Sequence, residues 1–155
     1  MHDTEFLQQL HGDIGIAQQL LELIQAEFAA LGERDLARLD QILSAKLPLL
    51  SQLDQHGRQR SQRLTSLQLT ADLAGLQQFA AQSTLGADLL ARSAELGTLL
   101  EQCQAANLRN GRLIRANQST VGSVLGILRG NETPSLYDSR GSTARIAQQR
   151  PLSQA

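Results

Sequence analysis

The sequence predicts an all-α protein, an antiparallel bundle of long coiled-coil-like helices. Leu, Gln and Ala account for 30, 20 and 19 of its 155 residues, and these are good helix formers. Aromatic residues make up only 3%, which argues against an extensive sheet. Leucines also recur at alternating spacings of three and four, as helix packing requires. We expect a bundle over 1–128, with three long helices and a short connecting helix, and a flexible tail over 129–155.

The first helix is predicted over 4–31. Asp3 or Thr4 can cap its start, and Gly32 stands where a glycine commonly ends a helix. An apolar seam runs along one side of it through Leu7, Leu10, Ile14, Ala17, Leu21, Ile24, Phe28 and Leu31.

The second helix is predicted over 33–67. Pro48 removes one backbone hydrogen bond and is expected to kink it, and Gly57 is expected to fray it. Lys46 occupies a core-type position of the repeat, whose apolar members are Leu36, Leu39, Leu43, Leu50 and Leu53.

A short connecting helix over 71–83 and a long helix over 85–128 complete the predicted bundle. The long helix would span roughly 66 Å. Its glycines lie within about 60° of one another around the axis, and they are Gly86, Gly97, Gly111, Gly122 and Gly126. Two explanations stay open: close approach of a neighbouring helix, or a helix that is easily refitted against a partner.

The composition excludes several classes of protein. A net charge of −1 and a pI near 6.3 give no general attraction to nucleic acid. No apolar run is long enough to cross a membrane, and the N-terminus does not resemble a signal peptide. The single cysteine, Cys103, cannot form an internal disulfide, which suits a reducing compartment. We therefore expect a cytoplasmic protein without membrane insertion.

Enzymatic chemistry is not expected, and neither is a cofactor or a metal. Cys103 lies at a seam position among leucines, where a buried structural cysteine is the usual case. No histidine, cysteine or carboxylate residues cluster at metal-ligand spacing. A histidine phosphotransfer domain is a less favoured alternative. His56 is exposed by pattern in the run DQHGRQR, but the lysine expected a few residues later is missing.

Polar residues interrupt the C-terminal half of the last long helix. Asn107, Asn110 and Asn117, together with Gly111, leave that side underpacked for a permanent core. A buried asparagine in a seam specifies register or partner at a cost in stability. This half of the helix therefore suits a protein partner that can exchange.

Three stretches resemble flagellar type III export chaperones of the FlgN family. The first is EFAALGERDLARLDQILSAKLPLLSQL at 27–53, in which an acidic residue, an aspartate that opens the second helix and a single lysine stand in the family's order. The second is NLRNGRLI at 107–114, and the third is SLYDSRGSTA at 135–144. The three matches stand in the family's order and are spread over residues 27–144.

The resemblance implies a non-enzymatic cytoplasmic chaperone with two protein partners. It would bind hook–filament junction proteins (the FlgK and FlgL types), prevent their premature assembly and deliver them to the export gate (the FlhA type). An amphipathic client helix would lie against the last long helix, at Asn107, Asn110, Ile114, Val121, Leu125 and Leu128. Leu136 and Tyr137 are the expected gate contact; alternatively, Tyr137 covers the glycine face when no client is bound.

A structural coiled-coil adaptor without client turnover is the main competing hypothesis. Such a protein could self-dimerise through the seams over 7–53, so a homodimer stays open. A delivery chaperone, in contrast with an adaptor, needs a second contact for its gate, and the bulky Leu136–Tyr137 pair in a polar tail could supply it.

Overall fold

The structure is a computed structural model that describes the backbone of residues 1–129 and the side chains of residues 1–116. Four helices occupy the described backbone, which contains no strand, and this confirms the all-α prediction. They are α1 (Asp3–Glu33), α2 (Leu36–Ser66), α3 (Leu73–Ala81) and α4 (Gly86–Arg129). The predicted flexible tail lies outside the described residues, apart from Arg129, which ends α4.

The chain divides into two units, residues 1–106 and residues 107–155. In the first unit, α1 and α2 form an antiparallel hairpin, because Gln9 bonds to Gln59 while Glu27 bonds to Lys46. The start of α4 lies near the start of α1, where the Ser83 hydroxyl donates to Asp3.

The part of α4 that belongs to the first unit runs in the same direction as α1. Ser83, just before α4, contacts Asp3, and Cys103, seventeen residues into α4, contacts the Ala17 carbonyl in α1. The short helix α3 therefore links the end of α2 to the start of α4 at the end of the bundle where α1 begins. Within residues 1–129, no helix combines the length and the hydropathy needed to span a membrane.

The ends of α1 differ from the prediction. His2 caps its start, and the His2 amide donates to the Glu5 carboxylate at 3.0 Å. Gly32 lies inside the helix, and Arg34 takes the left-handed conformation (φ 56°) that ends it. Arg34 is exposed, and a left-handed conformation is uncommon for a residue that carries a Cβ.

Helix α2 begins three residues later than predicted, at Leu36. The Asp35 carboxylate accepts a hydrogen bond from the Arg38 amide at 3.1 Å, the geometry of an N-cap. This confirms the aspartate that the resemblance places at the opening of the second helix. The helix assignment is continuous through Pro48 and Gly57, so the expected fraying at Gly57 is wrong.

The core of the first unit consists of two clusters. The larger joins all four helices through Phe6, Leu10, Ile14, Ala17, Leu64, Leu76, Phe79, Ala80, Leu89 and Leu96. The smaller contains Leu20, Ile24 and Cys103, with half-buried neighbours that include Leu49 and Leu53. In α1 the predicted seam is buried except at Leu7 and Leu21, which are half-buried, and Phe28, which is exposed.

The predicted seam of α2 is only partly on the buried side: Lys46 is buried and Leu39 and Leu53 are half-buried, as predicted. Ile42, Lys46 and Leu64 are its buried residues, whereas Leu43 and Leu50 are exposed. Leucines lie on two faces of this helix, so the repeat alone fits either phase. In the structure, the face of α2 that packs against α1 is the one whose polar side chains have charged partners on α1.

The glycines of α4 differ in their surroundings. A Cβ on Gly86 would lie 2.2 Å from the Ala80 carbonyl oxygen, so a neighbouring backbone does approach closely there. Gly97 has open space around it, and at Gly111 a Cβ would meet only Arg115, at an ordinary 3.6 Å. The close-approach explanation therefore holds at Gly86 alone among these three; the surroundings of Gly122 and Gly126 lie outside the described side chains.

Candidate functional site

The predicted client site begins at the first residues of the second unit. Asn107 is exposed, Ile114 is half-buried, and Asn110 is almost completely buried at 1% exposure. The Asn110 side-chain oxygen accepts a hydrogen bond from the Arg109 guanidinium at 3.3 Å. Asn110 therefore has the burial of a seam asparagine, whereas Asn107 lies at the surface.

The remaining client positions lie on the continuous backbone of α4. Val121, Leu125 and Leu128 fall within the helix that ends at Arg129, and their spacings of four and three place them on one helical face. Ile114, seven residues before Val121, occupies the same face. The side chains of Val121, Leu125 and Leu128 lie outside the described residues.

The predicted gate contact belongs to the C-terminal tail. Leu136 and Tyr137 lie outside the described residues, and both the docking and the covering hypotheses for Tyr137 stay predictions. Asn117 lies on the described backbone of α4, but its side chain is outside the described residues.

The motif residues of the N-terminal hairpin come together in the structure. Lys46 Nζ lies 3.4 Å from both carboxylate oxygens of Glu27. Sequence reasoning placed Lys46 at a core-type position, and it is buried as that position requires. The acidic residue and the single lysine of the family pattern therefore form one ion pair between α1 and α2.

A polar cluster on the same interface was not predicted. Asp13 is fully buried, and its two carboxylate oxygens each lie 2.6 Å from a partner on α2, His56 Nδ1 and an Arg60 guanidinium nitrogen. Arg60 also donates to the Gln9 side-chain oxygen at 2.9 Å. The sequence feature that could have predicted this cluster is Asp13 itself, which stands between Leu10 and Ala17 in an apolar stripe. A charge in such a place is tolerated only if it is paired.

This cluster corrects the expectation for His56. Its side chain is only 24% exposed and is held against a buried carboxylate, so it does not lie on the solvated face predicted for it. A carboxylate at Nδ1 orients the imidazole ring. The contact with Asp13 holds the His56 ring in the α1–α2 interface. His56 therefore has a structural role in this interface.

Cys103 occupies the buried position predicted for it. Its Sγ lies 3.7 Å from the Ala17 carbonyl oxygen, to which the thiol can donate. Burial raises the pKa of the thiol above its ordinary value, and the charge of Lys46 opposes that shift. A raised pKa disfavours the reactive thiolate. Across the part of the chain with described side chains, no histidine, cysteine or carboxylate groups gather in a metal-binding arrangement.

The comparisons with known proteins extend over most of the chain. The family described as FlgN protein matches residues 1–145. The chain belongs to the FlgN family. The structure is also similar to the crystal structure of a protein from Pseudomonas aeruginosa assigned as the flagella synthesis protein FlgN. The two chains are 48% identical with a TM-score of 0.70, over 83% of this chain and 98% of that one. A comparison with curated proteins finds no significant match.

Membership in the FlgN family gives this fold its role. It is a family of flagellar export chaperones and is not known as a family of enzymes. The surfaces that matter in this chain are therefore those that contact other proteins.

Proposed function

We propose that this FlgN-family chain is a cytoplasmic chaperone for hook–filament junction proteins of the FlgK and FlgL types. It holds their C-terminal helical segments, prevents their premature assembly and delivers them to the FlhA-type export gate. The proposal rests above all on α4, which carries the NLRNGRLI stretch and continues as a helix to Arg129. Ile114, Val121, Leu125 and Leu128 recur on one face of it, as helix-in-groove recognition requires.

The asparagines at the start of this face favour a releasable complex. A chaperone must let its client go at the gate, so its binding surface cannot be as apolar as a permanent core. Asn107 is exposed at the surface, whereas Asn110 is buried within the chain, where its amide packs less favourably than a leucine would. Polar residues in a seam lower stability while they fix the partner's register.

The competing adaptor hypothesis needs the seams over 7–53 for self-dimerisation. In the structure, the α1 seam packs inside the chain, where Leu10, Ile14 and Ala17 contact α2, α3 and α4 side chains. A dimer through that seam would require the first unit to open. The internal packing therefore argues against dimerisation through the α1 part of these seams.

Calorimetric titration with the C-terminal segment of a junction protein tests the client site. We expect Val121→Asp combined with Leu125→Asp to abolish binding, because two carboxylates would enter an apolar contact. Ser119→Asp with Ser123→Asp is the matched control, since it adds the same charge at the same spacing on the opposite face. Wild-type affinity in a folded Val121/Leu125 double variant would exclude this face as the client site.

The gate contact is tested separately with Tyr137→Ala. Loss of binding to the FlhA-type cytoplasmic domain with unchanged client affinity supports docking by Leu136 and Tyr137. Tighter client binding supports the covering role of Tyr137. If neither affinity changes, the tail motif has neither role.

A further inference from the structure

Helix α2 carries a row of exposed leucines that the bundle does not use. Leu36, Leu43, Leu47 and Leu50 are between 42% and 77% exposed, and we call them the α2 leucine stripe. Single exposed leucines are normal on a protein surface, but an ordered row is not. The stripe lies wholly within the first unit and shares no residue with the client positions on α4.

The stripe has the spacing of a coiled-coil seam. With Asp40 and Asp54 included, its members are separated alternately by four and three residues over five helical turns, a length of roughly 27 Å. The buried side of α2, with Ile42, Lys46, Leu49 and Leu53, lies about 110° away around the axis. Helix α2 therefore has two seams, of which the bundle occupies one.

The two aspartates determine which kind of helix fits the second seam. Asp40 and Asp54 stand at core-type positions, 14 residues and roughly 21 Å apart. In an antiparallel pair of two α2 helices, with Leu43 opposite Leu47, each Asp40 would face Leu50 and each Asp54 would face Leu36. Four carboxylates would then be buried against leucine side chains, which is strongly unfavourable.

A partner helix with lysine or arginine at the corresponding positions would remove that cost. Asp54 already has a cation beside it, since its carboxylate lies 3.1 Å from Arg58, but both side chains are largely exposed. An exposed pair of this kind contributes little free energy and can rearrange around an incoming charge. Asp40 and Asp54 would thus select a cationic partner rather than repel every partner.

We propose that the α2 leucine stripe is a second docking surface, and that it binds a basic amphipathic helix of a partner protein. The leucines supply the apolar contact, and the two aspartates select cationic side chains spaced two heptads apart. The surface is independent of the client site on α4, so either can be disproved without the other.

Two synthetic helical peptides of about three heptads test the charge rule with the full-length chain. Both carry leucine at the core positions; one has lysine and the other glutamate opposite Asp40 and Asp54. Fluorescence anisotropy of the labelled peptides measures binding. We expect the lysine peptide to bind at least about tenfold more tightly, which corresponds to about 1.4 kcal/mol.

Variants of the chain then locate the binding. Leu43→Ala with Leu47→Ala should weaken the lysine peptide about tenfold, and both sites are exposed enough for the fold to tolerate the change. Leu73→Ala removes a leucine of α3 that is at least as exposed as these two and should leave the affinity within about twofold. Asp40→Lys with Asp54→Lys should reverse the preference toward the glutamate peptide.

Three results would overturn the proposal. One is equal binding of the two peptides, and another is binding that the stripe variants leave unchanged. The third comes from sedimentation of the full chain without peptide: self-association abolished by Leu43→Ala with Leu47→Ala would assign the stripe to a second copy. A chain that stays monomeric and shows the predicted charge preference supports the proposal.

Discussion

Lys46 Nζ lies equidistant, at 3.4 Å, from the two carboxylate oxygens of Glu27, so one ion pair connects α2 to α1. The side chains are only 10% and 16% exposed. Because both ions have lost most of their hydration, their mutual attraction offsets part of the free-energy cost of burying them. The pair lies near the closed end of the hairpin, where Arg34 and Asp35 reverse the chain.

Removing one member of this pair should destabilise the bundle. Glu27→Gln leaves the Lys46 ammonium largely buried without its counter-ion, and we expect a loss of about 1–3 kcal/mol in the free energy of unfolding by urea. Asp54→Asn breaks an exposed pair and should cost about 0.5 kcal/mol or less. Equal losses in the two variants would mean that burial does not strengthen the Glu27–Lys46 pair.

The buried carboxylate of Asp13 should be more sensitive still. Asp13→Asn removes the charge that compensates Arg60 and holds His56, so we expect a loss of about 2–4 kcal/mol in urea unfolding. Glu22→Gln changes an exposed carboxylate of the same helix and should stay within about 0.5 kcal/mol of the wild type. An Asp13 variant as stable as the control would show that the cluster is not a stabilising contact.

These two clusters explain what the sequence could and could not predict. Leucine periodicity predicts the helices and the buried side of α1, because local spacing determines which residues share a helical face. It cannot choose between the two leucine faces of α2. That choice depends on Asp13 and Glu27, which lie far away in sequence from His56, Arg60 and Lys46. Charges on a helix normally indicate solvent, and here tertiary pairing buries them.

The phase of α2 can be tested with adjacent substitutions. Ile42→Asp places a carboxylate in the buried seam and should cost several kcal/mol, which lowers the melting temperature or prevents folding. Leu43→Asp, one residue later at a side chain that is 51% exposed, should cost about 0.5 kcal/mol or less. Circular dichroism melting curves compare the melting temperatures of the two variants. A larger decrease for the Leu43 variant would show that Leu43 faces the core, as the sequence predicted.

Acid should weaken the cap of α3 in a defined direction. The Thr70 hydroxyl and the Gly75 amide both donate to the Asp72 carboxylate, and they hold the pKa of Asp72 below its ordinary value, against a smaller opposing effect of burial. A lowered folded-state pKa means that the ionised cap stabilises the fold above the unfolded value, near 4. This contribution is lost as the pH falls through the folded-state pKa.

Asp72→Asn isolates that contribution, because asparagine can cap a helix but cannot ionise. At pH 7 the wild type should melt at the higher temperature, and the gap should close as the pH falls below about 4. Melting curves recorded over this range for both proteins make the comparison. A gap that is constant with pH would show that the Asp72 charge does not contribute to stability.

Two glycines of α4 should respond to alanine with opposite signs. At Gly86 a Cβ would meet the Ala80 carbonyl oxygen at 2.2 Å and its carbon at 2.9 Å. Backbone atoms cannot move aside as a side chain can, so Gly86→Ala should destabilise by about 1–3 kcal/mol. At Gly97 nothing lies within 4 Å, and Gly97→Ala should stabilise by about 0.5–1 kcal/mol, because alanine is the better helix former. Urea unfolding of the two variants measures both effects, and stabilisation by Gly86→Ala would disprove the close approach of α3 to the start of α4.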